Sequence, residues 1–431
     1  MEKLMHYIWQ HRLWSQHDLH TVDGQKVTII DPGRINTDAG PDFFNAKIKI
    51  GGQLWAGSVE IHVAASDWHR HGHHKDEAYD SVILHVVDRD DAAVHRLATG
   101  ELIPQMRMPC EPQFHLHYHS LVDNAVEYLP CAATLCNTES IYLADWIQAL
   151  GYERIYQKAD RVAGLVERMQ GDWQQACYVT VARALGFNLN NDPFERLALS
   201  VPLRIVGRVS DSLTAIEALL FGQSGLLDDA PSEPYTDSLR KEYAHLAHRF
   251  GLKPPVSLSW RMARTRPANF PHRRIALLAA MLYGGFRMLD RFLDITTPEE
   301  GCRLFTPTLT GYWSTHTHFS PVGYSAPSLS QASQRLLVIN VVVPVLVAYA
   351  QLHADDRLFD HAIELLSAMP AERNRIVELF GRYGLKARDA FESQAVIQLR
   401  RAYCEERKCL YCRIGHRMLS RCAMRREQVV K

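Results

Sequence analysis

Apolar and polar positions change rhythm along this chain. From about residue 20 to 110 the sequence is built of short β-like runs, "QKVTIID", "NAKIKIG", "LWAGSVEIHV" and "SVILHVV", each bounded by Gly, Asp or Pro. Such runs with such punctuation predict strands near residues 26–31, 43–50 and 54–64, followed by a fourth in "SVILHVV". The last is apolar throughout, which suits a strand covered on both faces of a sheet. Ahead of them, residues 2–14 have the spacing of an amphipathic helix, and the polar stretch "SDWHRHGHHKDEAYD" has room for a short one. The order helix–strand–strand–strand–helix–strand describes an α/β sandwich around a mixed sheet. In "FHLHYH", His115, His117 and His119 fall on one strand face and read as a surface strand.

After "PQMRMPCEP" the rhythm shifts to three- and four-residue steps, as in "DWIQALGYERIYQKADRVAGLVERMQ" and "HRRIALLAAMLYGGFRMLDRFL". The organisation predicted is an α/β domain over residues 1–115, a linker over 116–140, and a large all-α region over 141–431 ending in a cysteine cluster. The most apolar run, Leu336 to His353, has Pro344 in its middle and predicts a buried helix rather than a membrane span.

Composition narrows this picture. The 431 residues exceed what a single core usually holds, so two domains or more are expected. Basic and acidic residues number 48 each, so there is no global basic field, and any nucleic-acid surface must be local. The N-terminus lacks the uninterrupted apolar core of a secretory signal. Nine cysteines, four of them crowded at the C-terminal end, favour a reducing cytoplasm and a metal or cluster site over a disulfide scaffold.

Chemistry concentrates in "GPDFFNAKIKIGGQLWAGSVEIH". A tight Gly51-Gly52 turn makes this a hairpin, and the start of one strand then lies beside the end of the next. Asp42 and Glu60 therefore converge at one end of the sheet. Two carboxylates at one point suit Mg²⁺ or Mn²⁺. His62 follows Glu60 by two residues and shares its face, where it can ligate metal or serve the substrate. Val59, Ile61 and Val63 take the apolar face. Such an ion activates water and stabilises phosphoryl charge, the requirements of phosphodiester hydrolysis. The bland reading is a turn-forming aspartate and a solvated strand glutamate.

At these residues the sequence resembles the PD-(D/E)xK nuclease superfamily. Asp42 after Pro41 matches the first acid, Glu60 the second, and His62 stands where that superfamily usually has lysine. The resemblance covers roughly the first quarter of the chain and implies a PD-(D/E)xK-like sandwich with nuclease chemistry on DNA. The whole chain is also similar to a bacterial family of unknown function, through "DAGPDFFNAKI", "GSVEIHV", "SDWHRHGHH", "YDSVILHVV" and "KCLYCRIG".

Two clusters remain. His69, His71, His73 and His74 lie among aspartates, and His69 or His71 can line the mouth of the site; a solvated polar loop is the alternative. Cys404, Cys409 and Cys412 have C-x4-C-x2-C spacing, with Cys422, His416 or a distant cysteine as a fourth ligand for Zn²⁺ or an iron–sulfur cluster. Free structural or redox thiols are the alternative. The function expected is a metal-dependent nuclease or related nucleic-acid-processing protein in the cytoplasm, with no membrane partner. The alternatives are an inactivated nuclease fold that binds nucleic acid or serves structurally, and a hydrolase with a histidine-rich transition-metal site.

Overall fold

The structure, a computed structural model, describes residues 1–13, 19–36, 39–108, 129, 131–132, 135, 138–253, 258–263, 265–319 and 329–424. The chain forms two compact units. One comprises Met1–Trp146, Arg382–Leu385 and Leu399–Lys431; the other comprises Ile147–Gly381 and Lys386–Gln398. The C-terminal cysteine segment thus groups with the N-terminal sheet, not with the helices that precede it in sequence. Most of the 116–140 segment, including His115 to His119 at its edge, lies outside the described residues.

In the first unit, helix α1 (Glu2–Gln10) precedes strands β1 (Val27–Asp31), β2 (Arg34–Ile35), β3 (Phe43–Ile50) and β4 (Gln53–Ala64). Helix α2 (Asp67–Arg70) and two short 3₁₀ turns (His73–Lys75 and Glu77–Ser81) lead to β5 (Val82–Arg89), and β6 (Gln105–Arg107) follows. The sheet order is β1-β3-β4-β5-β6, with β2 paired to β3. The β1–β3 and β3–β4 pairs are antiparallel, while β4–β5 and β5–β6 are parallel. The sheet is therefore mixed. α1 is shorter than its amphipathic pattern, because Arg12 turns left-handed at φ 51° just beyond it.

Alternation explains how β3 lies. Ala46, Ile48 and Ile50 are buried, while Lys47 and Lys49 face outward. Gly51 and Gly52, at φ 57° and 94°, supply the two left-handed residues that a two-residue hairpin requires. α1 buries Leu4, Met5, Ile8 and Trp9 in one core with Phe43, Ile48, Val59, Ile61 and Val86. The opposite face of β4 and β5 meets a smaller cluster that contains Trp68, Tyr79 and Val82. As its apolar run predicts, β5 is buried over its first six residues. β4 is also buried from Ser58 to His62, which places three polar side chains, Ser58, Glu60 and His62, away from water.

The second unit is helical. Residues of Trp173–Leu185, Leu213–Ser224, Pro271–Leu282 and Val343–His353 share one large core. The helix spanning Gln331–His353 is long and apolar enough to cross a membrane, its most apolar window having a mean hydropathy of 2.0, yet 67% of that window is buried inside the protein. A π turn at Val338–Val342 precedes Pro344. That wider turn relieves the clash between the proline ring and the carbonyl one turn earlier.

Candidate metal centre

Pro41 leads the chain into β3, and the antiparallel register pairs Phe43 with Val59. This brings the acids at the two ends of the hairpin together. The Asp42 backbone N–H donates to Glu60 Oε2 at 3.0 Å. The Ile61 N–H donates to Asp42 Oδ2 at 2.9 Å. Each carboxylate is thus held by the other's strand. From α1, His6 Nε2 approaches Asp42 Oδ2 at 3.1 Å. Burial works to lower the His6 pKa, but the bond to Asp42 and its charge outweigh it, and the net shift is upward.

Glu60 is 4% exposed and His62 1%. Both point to the face covered by residues 66–81. The cover brings further imidazoles: His73 Nε2 lies 3.2 Å from Glu60 Oε1, and His62 Nε2 lies 3.4 Å from the same oxygen. His62 Nε2 is also 3.2 Å from His71 Nδ1, and His62 Nδ1 is 2.9 Å from His85 Nε2. His85 sits opposite Glu60 on the parallel strand β5. One ligand nitrogen from each of His62, His71 and His73 falls within 4.8 Å of the others. The His73 ring stacks on Tyr79 with centroids 3.8 Å apart and meets Trp68 edge-on. Its Nε2 is buried, with the Glu60 carboxylate as its near neighbour.

The electrostatics follow from this crowding. Burial, reinforced by His85, His73 and His71, pushes the His62 pKa down to about 3. Burial also lowers His85 to about 4, against the opposing effect of the Gln105 side-chain oxygen as acceptor. Both are neutral imidazoles at physiological pH, the form that binds metals. Burial raises the Glu60 pKa and the Asp42 charge adds to the rise, while His73 opposes it. The set holds two hard carboxylates and three imidazole nitrogens around a small volume, a donor mixture suited to a divalent ion. Access lies toward α1, where the His6 and Asp42 side chains are 19% and 23% exposed.

Asp42, Glu60, His62 and His71 therefore come together. His69 does not: it is exposed, lies 3.4 Å from the Ala93 carbonyl and packs on His74. His6, His73 and His85 belong to the constellation and were not singled out as site residues by sequence reasoning. His73 sat inside the histidine-rich stretch, but the others carry no local signal. At the C-terminal end, Cys404, Cys409 and Cys412 lie near Cys131, each thiol close enough to affect a neighbour's ionisation. His416, the rival fourth ligand, accepts or donates through Nδ1 to Tyr7 Oη at 2.6 Å. The Cys422 side chain lies outside the described residues.

The chain belongs to the family described as "Protein of unknown function (DUF2851)", whose model matches residues 2–375. No curated protein and no solved structure matches it.

Proposed function

We propose that this member of a family of unknown function is a metal-dependent hydrolase of phosphodiester bonds, with nucleic acid, DNA foremost, as its substrate. One observation carries the reading: Asp42 and Glu60 face each other across a hairpin end, with the nitrogens of His62, His71 and His73 gathered beside Glu60. The strand order and the placing of Asp42 and Glu60-x-His62 on successive strands support the likeness to the PD-(D/E)xK superfamily.

The residues present fit a divalent ion. Glu60, His62, His71 and His73 would hold it, with Asp42 at the open side. Their nitrogen content moves the preference from Mg²⁺ toward Mn²⁺ or Zn²⁺. When bound, such an ion supplies Lewis acidity, activating water and neutralising phosphoryl charge. The protein supplies position. Ile61 N–H and His6 fix Asp42, Asp42 N–H fixes one Glu60 oxygen, and His85 holds the His62 ring. His62 replaces lysine as a neutral group, so its role is to ligate or orient, not to offset phosphate charge. His6, its pKa raised by the bond to Asp42 against burial, is the imidazole nearest the open edge.

The imidazole group also favours a second reading, a hydrolase with a transition-metal centre acting on another substrate class. Cleavage of a mixed panel of single- and double-stranded DNA and RNA, with Mg²⁺, Mn²⁺ or Zn²⁺ and Glu60→Gln as control, tests both. The nuclease reading expects metal-dependent cleavage that Glu60→Gln abolishes. Metal binding at these residues with no cleavage of any nucleic acid would favour the second reading. Cleavage equal in Glu60→Gln would remove the site altogether.

A further inference from the structure

The carboxylate–imidazole centre leaves another cluster of metal-ligating side chains in the same unit unused. We propose that Cys131, Cys404, Cys409 and Cys412 form a four-thiolate site for a thiophilic metal centre, zinc or an iron–sulfur cluster. The spacing of the last three is local, but the fourth ligand comes from the segment before the helix Ser140–Arg168.

The backbone shapes a cradle. A π turn over Leu399–Cys404 ends at Cys404. Arg407 then reverses the chain at φ 54°, its N–H donating to the Cys404 carbonyl at 3.2 Å. The single turn Cys409–Tyr411 follows, with Cys412 N–H donating to the Cys409 carbonyl at 3.3 Å. Cys412 immediately precedes the helix Arg413–Met424. The Ile414 and Gly415 N–H groups at its start donate to the Cys412 sulfur. A Cβ at Gly415 would stand 2.1 Å from the Cys409 carbonyl oxygen, so the turn lies directly on the helix start and only glycine fits. Cys131 and Cys409 both pack against the Tyr7–Leu419 pair.

A second observation points to a ligand on these sulfurs. The indole N–H of Trp146, in the same unit, is buried without a hydrogen-bond partner. N–H donors around cysteine sulfurs stabilise thiolates that ligate a metal. A metal cation deprotonates the thiols it binds and holds them at one point. No disulfide joins the four. Their sulfurs are spaced more loosely than the imidazole nitrogens. Metal–sulfur bonds of about 2.3 Å would draw them inward to a tetrahedron about 3.8 Å on edge.

The test uses the full-length chain purified without oxygen. Metal and sulfide analysis, the visible spectrum and X-ray absorption at the metal edge read the site. The expected result is zinc with a four-sulfur shell, or iron with inorganic sulfide and a coloured spectrum. Cys131→Ser should lower metal retention on the order of tenfold or more, while Cys177→Ser, in the other unit, and His73→Ala should leave the sulfur-bound metal in place. Unchanged metal content and spectrum in Cys131→Ser would overturn the assignment. If that variant does not fold, the absorption edge of the unaltered chain decides: a shell without sulfur, or no metal beyond what His73→Ala removes, overturns it equally.

Discussion

Asp42 and Glu60 are cross-braced: the Asp42 N–H donates to Glu60 Oε2 at 3.0 Å, and the N–H of Ile61, next to Glu60, donates to Asp42 Oδ2 at 2.9 Å. Two carboxylates are thereby held at one point by backbone donors, with His6 beside one and His73 beside the other. Such a pair is stable when protonated, when shared with imidazolium, or when a cation binds.

Glu60→Gln keeps the shape and an acceptor for the Asp42 N–H, so the fold should persist with a nearly unchanged melting temperature. Divalent-ion binding should weaken about ten- to a hundredfold, and His73→Ala should do the same. Calorimetric titration with Mn²⁺ and Zn²⁺ checks this; equal affinities in both variants and the unaltered chain would refute the ligand assignment.

Asp42→Asn retains an oxygen for the Ile61 N–H but loses the charge beside His6. The His6 pKa is raised because that bond and charge outweigh burial. With that charge gone, burial is opposed only by the Glu2 and Glu60 charges, and the pKa should fall. Histidine resonances followed by NMR from acid to neutral pH measure it. A His6 titration indifferent to the substitution would show that the 3.1 Å approach does not persist in solution.

In the helical unit, burial raises the Glu217 carboxyl to about 7 despite its bond from Tyr235 Oη at 3.0 Å. The folded state then holds a proton that the unfolded state releases near 4.5. The associated stability is fully present below that lower value and is lost as pH rises through about 7. Glu217→Gln should flatten this decline and raise stability at about pH 8 by about 1–2 kcal/mol. Urea unfolding at several pH values is the measurement; an identical pH slope in the variant would count against a buried, protonated Glu217.

Gly57 allows β4 and β5 to approach. A Cβ there would lie 2.5 Å from Ile83 Cγ2 and 2.6 Å from the Ser81 carbonyl oxygen. Gly57→Ala must push the start of β5 away and should cost about 2–3 kcal/mol. Because His85 is on that strand, metal affinity should fall together with the melting temperature. A fully stable Gly57→Ala would mean that the strands separate there without strain.

Much of this was legible in the linear sequence. The alternation in "NAKIKIG" and "SVEIHV" set which side chains share a face, because the period of a strand is fixed by covalent geometry. The Gly51-Gly52 turn set the hairpin register, and the register brought Asp42 to Glu60. These are local determinants, and β3 came out at the predicted residues 43–50. What the periodicity could not state is what covers a face. Glu60 and His62 lie on the polar side of β4 whether that side meets water or protein; only the packing of residues 66–81 buries them and delivers His71 and His73. His85 enters because β5 runs parallel to β4 in that register, a pairing made through a crossover. His6 comes from α1, and Cys131 meets Cys409 on Tyr7 and Leu419 from a distant part of the chain. Short-range order follows from residue type and spacing. The assembly of a site from separated segments follows from which buried surfaces fit, and that is decided by the whole fold.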